Sequence, residues 1–172
     1  DALPISICTK CPAGYILVGG NCNKCGKDTY STGGTANTCQ GCGANQYAPE
    51  GSSSCTTRQN TIGCSSYQSG ADDCTSCGVG YKLDGNKCTQ CAAGTYAPAG
   101  STSCTTCSAG QYSAAGAEKC SNCDANTQYS AAGSASCTAR QNTTGCGGYA
   151  AGSDDCTSCA AGYKLEGGKC KI

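Results

Sequence analysis

The sequence predicts a small disulfide-rich protein, built as an elongated tandem array of short β-hairpin and loop modules with little or no helix. Three observations predict this fold. Cysteine accounts for 21 of the 172 residues. No stretch shows the 3.6-residue apolar period of an amphipathic helix. The cysteine pattern also occurs twice, because five cysteines recur 82 positions later: Cys55, Cys64, Cys74, Cys77 and Cys88 reappear as Cys137, Cys146, Cys156, Cys159 and Cys170.

The composition leaves little material for a hydrophobic core. The chain has four Leu, five Ile and two Val, with no Phe, Trp or Met. Ordering a residue costs about 1–2 kcal/mol, and so few aliphatic side chains cannot offset that cost at roughly 25 cal/mol per Å² buried. Cross-links have to supply the difference. Disulfides persist in oxidising compartments, so we expect an extracellular or cell-surface protein.

Charge and hydropathy exclude two classes of partner. The formal net charge is zero and the eleven basic residues are scattered singly, so we expect no nucleic-acid partner. No apolar run approaches the roughly 20 residues of a membrane span, so we expect no membrane insertion within this chain. A lipid anchor beyond Ile172 is an open expectation.

Blocks of four and six cysteines alternate along the chain, in the order four, six, four and six. Residues 1–7 form a leader, expected to be a strand or cap. The first repeat fills residues 1–87, with a four-cysteine block at 8–25 and a six-cysteine block at 39–77. The second repeat covers 88–169, with blocks at 88–107 and 120–159, and residues 170–172 begin a third. Cys170 is expected to open a CxxC pair completed at residue 173.

Two hairpins are predicted directly. Residues Tyr15–Val18 precede Gly19-Gly20, and residues 81–83 precede Asp84-Gly85. These turn residues tolerate the positive φ of tight hairpin turns.

The cysteines are expected to be structural disulfides, with no cofactor or metal. Zinc binding by CxxC pairs is the first alternative, and thioredoxin-like redox chemistry is the second. Zinc is disfavoured because isolated cysteines interrupt the CxxC pairing and the chain has no histidine. The expected half-cystines are Cys8, Cys11, Cys22, Cys25, Cys39, Cys42, Cys55, Cys64, Cys74, Cys77, Cys88, Cys91, Cys104, Cys107, Cys120, Cys123, Cys137, Cys146, Cys156 and Cys159.

Two connectivities fit the repeat. The favoured one is interlocked, first to third and second to fourth, and pairs Cys8–Cys22, Cys11–Cys25, Cys39–Cys55, Cys42–Cys64, Cys88–Cys104 and Cys91–Cys107. The other joins nearest neighbours from Cys11–Cys22 to Cys159–Cys170 and leaves Cys8 without a partner.

Catalysis is not expected. A chain without histidine can form neither a Ser-His-Asp nor a Cys-His arrangement. The clustered carboxylates, Asp72-Asp73 and Asp154-Asp155, are interpreted as solvated turns with Asx-type backbone bonds, with a calcium site and an acid/base pair as alternatives. Arg58 and Arg140 occupy equivalent positions and are interpreted as donors that stabilise a turn, with a ligand site as the alternative.

Two further residue types are assigned from the pattern. Each of the ten tyrosines is expected to pack on its local disulfide. Asn142 begins the N-glycosylation sequon Asn142-Thr143-Thr144, whereas the matching Asn60-Thr61-Ile62 lacks the required hydroxyl.

The phrases CPAGY, CAAGTYAPAGSTSCTTCSAGQYSAAGAEKC and CTSCAAGYKLEGGKC resemble the cysteine-rich repeats of ciliate surface immobilisation antigens. Related modules occur in furin-like, ephrin-receptor-like and tumour-necrosis-factor-receptor ectodomains, and in the CxxC-rich surface proteins of Giardia. The resemblance covers Cys8 to Cys170. It implies an abundant, protease-resistant surface coat, often tethered by a C-terminal lipid anchor.

The sequence therefore predicts a non-enzymatic extracellular structural protein of the surface-coat type. Its expected partners are attached glycans and other copies of itself in a coat or filament. The alternatives are the subunit of a self-assembling filament or adhesive fibre and, third, a receptor-like ectodomain that binds a ligand.

Overall fold

The computed structural model describes residues 7–172, which form twenty short strands and no helix. Among the residues described there is accordingly no helix long and apolar enough to cross a bilayer. The strand or cap expected for the leader falls on residues 1–6, outside the described residues. The predicted fold class, a disulfide-rich tandem array of β-hairpins, is confirmed.

Consecutive strands pair into ten two-stranded sheets, and the nine whose register is defined are antiparallel. The pairs are β1 Tyr15–Val18 with β2 Asn21–Lys24, β3 Thr29–Tyr30 with β4 Gln40–Gly41, β5 Gln46–Tyr47 with β6 Thr56–Thr57, β7 Cys64–Tyr67 with β8 Cys74–Cys77, β9 Tyr81–Asp84 with β10 Lys87–Gln90, β11 Thr95–Tyr96 with β12 Thr105–Thr106, β13 Gln111–Tyr112 with β14 Ser121–Asn122, β15 Gln128–Tyr129 with β16 Thr138–Ala139, β17 Cys146–Tyr149 with β18 Cys156–Cys159, and β19 Lys164–Glu166 with β20 Lys169–Lys171.

Both hairpins predicted from turn residues are present. Strands β1 and β2 join at Gly19-Gly20, which have φ of +57° and +78°. Strands β9 and β10 join through Gly85, with φ of +65°. Positive φ at these positions is the conformation that glycine adopts without a steric penalty.

The disulfides join nearest neighbours, so the favoured interlocked connectivity is wrong. Strand β8 shows the physical reason. Residues three apart on an extended strand point to opposite faces, so Cys74 bonds backward to Cys64 and Cys77 bonds forward to Cys88. The ten bonds are Cys11–Cys22, Cys25–Cys39, Cys42–Cys55, Cys64–Cys74, Cys77–Cys88, Cys91–Cys104, Cys107–Cys120, Cys123–Cys137, Cys146–Cys156 and Cys159–Cys170.

Two individual cysteine assignments are also corrected. Cys8, expected to bond with Cys22, is an exposed free thiol, because Cys22 is taken by Cys11. Cys170, expected to await a partner at residue 173, lies in β20 and is bonded to Cys159 at the end of β18.

Half-cystines form most of the core. The buried apolar residues in the described part of the chain are eight cysteines and two alanines: Cys11, Cys25, Cys74, Cys77, Cys91, Cys107, Cys156, Cys170, Ala48 and Ala97. Each disulfide closes a loop of 10 to 14 residues. Closing such a loop lowers the conformational entropy of the unfolded chain and so stabilises the fold by about 3 kcal/mol. The cysteine frame thus replaces the missing aliphatic core.

Buried serines connect three of the hairpins to the one before. The hydroxyls of Ser31, Ser113 and Ser130 donate to the backbone oxygens of Tyr15, Thr95 and Gln111 at 2.9, 2.9 and 2.8 Å. All three serines are at most 3% exposed, so a polar contact joins neighbouring modules at positions where an ordinary protein would place a large apolar side chain.

Glycines permit close backbone approach between modules. A Cβ added at Gly94 would lie 1.9 Å from the backbone oxygen of Gly133, and one at Gly80 would lie 2.0 Å from that of Gly116. Only a residue without a Cβ fits at these two positions.

The contacts divide the chain into two compact units, with the boundary after Thr75 in strand β8. The first unit contains the hairpins of β1 to β6, and the second those of β9 to β20. The repeat boundaries at 87 and 169 describe how the sequence duplicates and stay a prediction.

Candidate functional site

The candidate site consists of two equivalent arginine clusters. In the first cluster, the Cζ of Arg58 lies 5.3 Å from the ring centroid of Tyr47 and 4.1 Å from that of Tyr67. The second cluster consists of Tyr129, Arg140 and Tyr149, with matching distances of 5.6 and 4.3 Å. Both guanidinium groups are therefore held by cation–π contacts with two rings.

The hairpins bring these residues together. Tyr129 ends β15, Arg140 directly follows its partner strand β16, and Tyr149 ends β17. The arginine is 7% exposed. The loops closed by disulfides bring the chain back to the same place at each of these three residues, which span about twenty positions.

Backbone oxygens satisfy the buried Arg140 guanidinium. Its Nε donates to Ala125 at 3.0 Å, Nη1 to Ser153 at 2.8 Å and Nη2 to Ala150 at 2.7 Å. The role predicted for this arginine, a donor that stabilises turns, is confirmed. Sequence reasoning missed the flanking rings, although tyrosines at matched positions in both copies were the available signal.

In the first cluster a carboxylate also neutralises the arginine. Arg58 donates through Nη1 to the backbone oxygen of Ala71, and its Nη2 lies 3.9 Å from a carboxylate oxygen of Asp28. The Asp28 carboxylate also accepts hydrogen bonds from Ser69 Oγ at 2.6 Å and from Gly70 N at 3.1 Å. These partners, with the Ser69 hydrogen bond as the largest cause, hold the pKa of Asp28 below its usual value.

The acidic pairs hold loops that are distant in sequence. Asp72 accepts hydrogen bonds from the backbone N–H groups of Gln59 and Asn60, and Asp154 accepts them from those of Gln141 and Asn142. The predicted bonds between carboxylate and backbone are present. These bonds join residues that are 12 or 13 positions apart, however, so they do not form a local Asx turn.

The side chain of Asn142, the predicted glycosylation site, is engaged in the fold. Its Nδ2 donates to the backbone oxygens of Asp154 at 3.2 Å and Gly168 at 2.8 Å. The matching Asn60 donates to the backbone oxygen of Asp72 at 3.0 Å. Glycosylation of Asn142 stays a prediction, and the sugar would replace a hydrogen of this bonded amide.

The sulfur chemistry is that of disulfides. The Sγ atoms of Cys146, Cys156 and Cys170 lie within 4.8 Å of one another. Each of the three belongs to a disulfide and so offers no thiolate, the form of cysteine that binds zinc.

A groove of about 490 Å³ opens beside the second arginine cluster. Its lining combines Arg140 with small residues and side-chain amides: Ser108, Ala109, Gly110, Gln111, Asn122, Cys123, Ala125, Gln128 and Ala151. Apart from Arg140, no residue of this lining was marked as a site by a pattern in the sequence.

Comparisons with known proteins add no identity: no protein-family model matches the chain, and no curated protein does.

Proposed function

We propose that this chain is a non-enzymatic structural protein of the cell exterior, a module of a surface coat of the immobilisation-antigen type. The observation that carries the proposal is the unbroken series of ten nearest-neighbour disulfides from Cys11 to Cys170. Each module is closed covalently, so the array does not depend on a large apolar core.

The compartment follows from the same bonds. The buried apolar residues are mostly half-cystines, so reduction would remove both the cross-links and the packing that they create. Small disulfide-dense domains of this kind belong to oxidising environments. A reducing cytosol would not sustain them.

The non-enzymatic part rests on how the polar groups are used. Asp72 and Asp154 hold distant loops through backbone N–H groups. Arg58 and Arg140 are packed between tyrosine rings and bonded to backbone oxygens. These contacts hold the chain in shape, as expected of a structural protein.

An antibody against the folded chain tests the location. On intact, unpermeabilised cells of the native source it should label the surface, and the label should disappear after external protease treatment in the presence of a reductant. Protease without reductant should remove far less, because closed loops resist cleavage. Labelling only after permeabilisation would contradict the proposal.

Electron microscopy of the same material separates the coat from the two alternatives. A continuous surface layer that carries the antibody supports the coat. Labelled fibres extending from the cell would replace it with the filament. Isolated label on a protein that also has a membrane span and a cytoplasmic domain would replace it with the receptor-like ectodomain.

A further inference from the structure

The two arginine clusters differ in one charged residue. Cys25 and Cys107 occupy equivalent places in the two repeats, so Asp28 corresponds to Gly110. The backbone confirms the match. Asp28 N donates to the oxygen of Ala48 at 2.7 Å, and Gly110 N donates to that of Ser130 at 2.8 Å. Both residues also have positive φ, of +59° and +80°.

The second substitution lies opposite the first. Ser69, whose hydroxyl donates to the Asp28 carboxylate, follows Cys64 by five residues. Ala151 follows Cys146 by the same interval. In the second copy the carboxylate and its hydroxyl partner are both replaced, and a Cβ added at Gly110 would lie 3.2 Å from the Ala151 Cβ. Gly110 and Ala151 line the groove beside Arg140.

Arg140 is left without a counter-charge. Among the described residues, the ion pairs are Arg58 with Asp28 and Lys171 with Glu166. Arg140 is 7% exposed and uses three of its five N–H donors on backbone oxygens. A buried charge without a charged partner is costly, and this one lines an open groove.

A backbone donor is also left over. In the first copy, Gly70 N donates to the Asp28 carboxylate at 3.1 Å. Its counterpart, Gly152, has no acceptor for its N–H within the described part of the chain. The second copy thus retains the guanidinium and the backbone N–H of a carboxylate site, without the carboxylate and its hydroxyl donor.

We propose that the groove beside Arg140 binds the carboxylate of an acidic sugar, which takes the place that the Asp28 side chain occupies beside Arg58. Arg140 provides the charge, and charge-assisted hydrogen bonds of this type are about twice as strong as neutral ones. Binding is electrostatic and reversible, so it weakens as salt increases.

The rest of the groove indicates the sugar. Gln111 Nε2 donates to Asn122 Oδ1 at 3.0 Å, and Gln128 Oε1 accepts from Asp124 N at 3.3 Å. Within the described residues this leaves Asn122 Nδ2, Gln128 Nε2 and Gln111 Oε1 for a ligand. Amide donors and acceptors suit hydroxyl groups, and a groove of about 490 Å³ lies within the roughly 300–1,000 Å³ range of small-molecule sites.

Calorimetric titration of the full disulfide-bonded chain with D-glucuronate tests the proposal. We expect one glucuronate to bind per chain, with D-glucose and acetate each binding about tenfold or more weakly, because glucose lacks the carboxylate and acetate lacks the hydroxyls. Glucose binding as tightly as glucuronate would overturn the carboxylate site, and equally tight acetate would overturn the sugar. A chain that does not bind glucuronate overturns the whole proposal.

The first copy provides the matched variants. Gly110→Asp with Ala151→Ser recreates the internal carboxylate, and Asp28 shows that aspartate adopts this backbone conformation. We expect glucuronate affinity to fall by about tenfold or more, with an unchanged disulfide map as proof of folding. Unchanged affinity would overturn the proposal.

The reverse exchange, made in the first copy, tests for a gain of glucuronate binding. Asp28→Gly with Ser69→Ala should open a carboxylate site at Arg58 and raise the stoichiometry from one glucuronate to two. The second glucuronate should bind more weakly than the first, because Thr29 and Gly41 pair in the first copy where Gln111 and Asn122 pair in the second. A folded variant that still binds only one would contradict the assignment of the carboxylate position. Neither result depends on whether the protein forms a surface coat, because binding is measured on the purified chain.

Discussion

The Cζ of Arg140 lies 4.3 Å from the centroid of the Tyr149 ring, and Arg58 stands 4.1 Å from Tyr67 in the other copy. The residues between the cysteines drift between the two repeats, yet this contact is reproduced to within 0.2 Å, the difference of those two distances. The arginine clusters are therefore a second structural framework beside the disulfides.

Replacing Arg140 with lysine tests that framework. Arg140→Lys keeps the charge, but its single nitrogen cannot occupy the three positions from which Nε, Nη1 and Nη2 reach backbone oxygens. It also cannot stack as a plane between two rings. We expect the free energy of unfolding to fall by about 2–4 kcal/mol, from lost hydrogen bonds and cation–π contacts. Guanidinium unfolding with intact disulfides measures it. The exposed neighbour Gln141, changed to alanine, is the control, and equal stability of both variants would contradict the role of the cluster.

A single methyl group tests the close backbone approach between modules. Gly94→Ala places a Cβ 1.9 Å from the Gly133 oxygen at a residue with φ of +81°. The clash and the positive φ together should cost about 2–4 kcal/mol. Gly26→Ala, where a Cβ meets nothing within 4 Å, should change stability by less than about 1 kcal/mol. Similar thermal midpoints for the two variants would show that the modules do not approach so closely.

The pH dependence of stability should report on Asp28. Its pKa in the folded protein is below the ordinary value of 3.8, mainly because Ser69 donates to it. Its contribution to stability is therefore complete above about pH 3.8 and is lost as the pH falls through the lower, folded-state pKa. Asp28→Asn should be less stable than the parent at pH 7, and the difference should shrink in acid.

Carbon-13 NMR of the Asp28 carboxyl gives the site-specific check. Its titration midpoint should lie below 3.8, and Ser69→Ala should move the midpoint upward. A midpoint at or above the ordinary value would mean that Ser69, Gly70 and Arg58 do not stabilise the ionised form.

The sequence predicted the hairpins well and the disulfide pairing poorly, for a physical reason. Gly19-Gly20 and Gly85 carry their turn signal locally, in the positive φ that glycine tolerates. Cysteine spacing tells which face of a strand a sulfur occupies only where the stretch is already known to be extended. The pairing at Cys74 and Cys77 was decided by the extended conformation of β8, which sends the two sulfurs to opposite sides.

The candidate site depends on contacts between residues that are distant in sequence, and the spacing of residues along the chain does not predict such contacts. Arg58 was recognisable as a repeated residue, but its carboxylate partner Asp28 lies thirty positions earlier in another hairpin. The exchange of Asp28 for Gly110 can be read from the aligned cysteines, but that Asp28 lies beside Arg58 is visible only in the structure.

Mass spectrometry of disulfide-linked peptides tests the central claim most directly, namely that nearest-neighbour disulfides build this protein. The protein should be taken from its native source, alkylated before reduction and digested without reduction. The account predicts ten linked pairs, from Cys11–Cys22 to Cys159–Cys170. Cys8 alone should alkylate before reduction. Interlocked pairs such as Cys11–Cys25, or alkylation before reduction of any cysteine other than Cys8, would contradict the account.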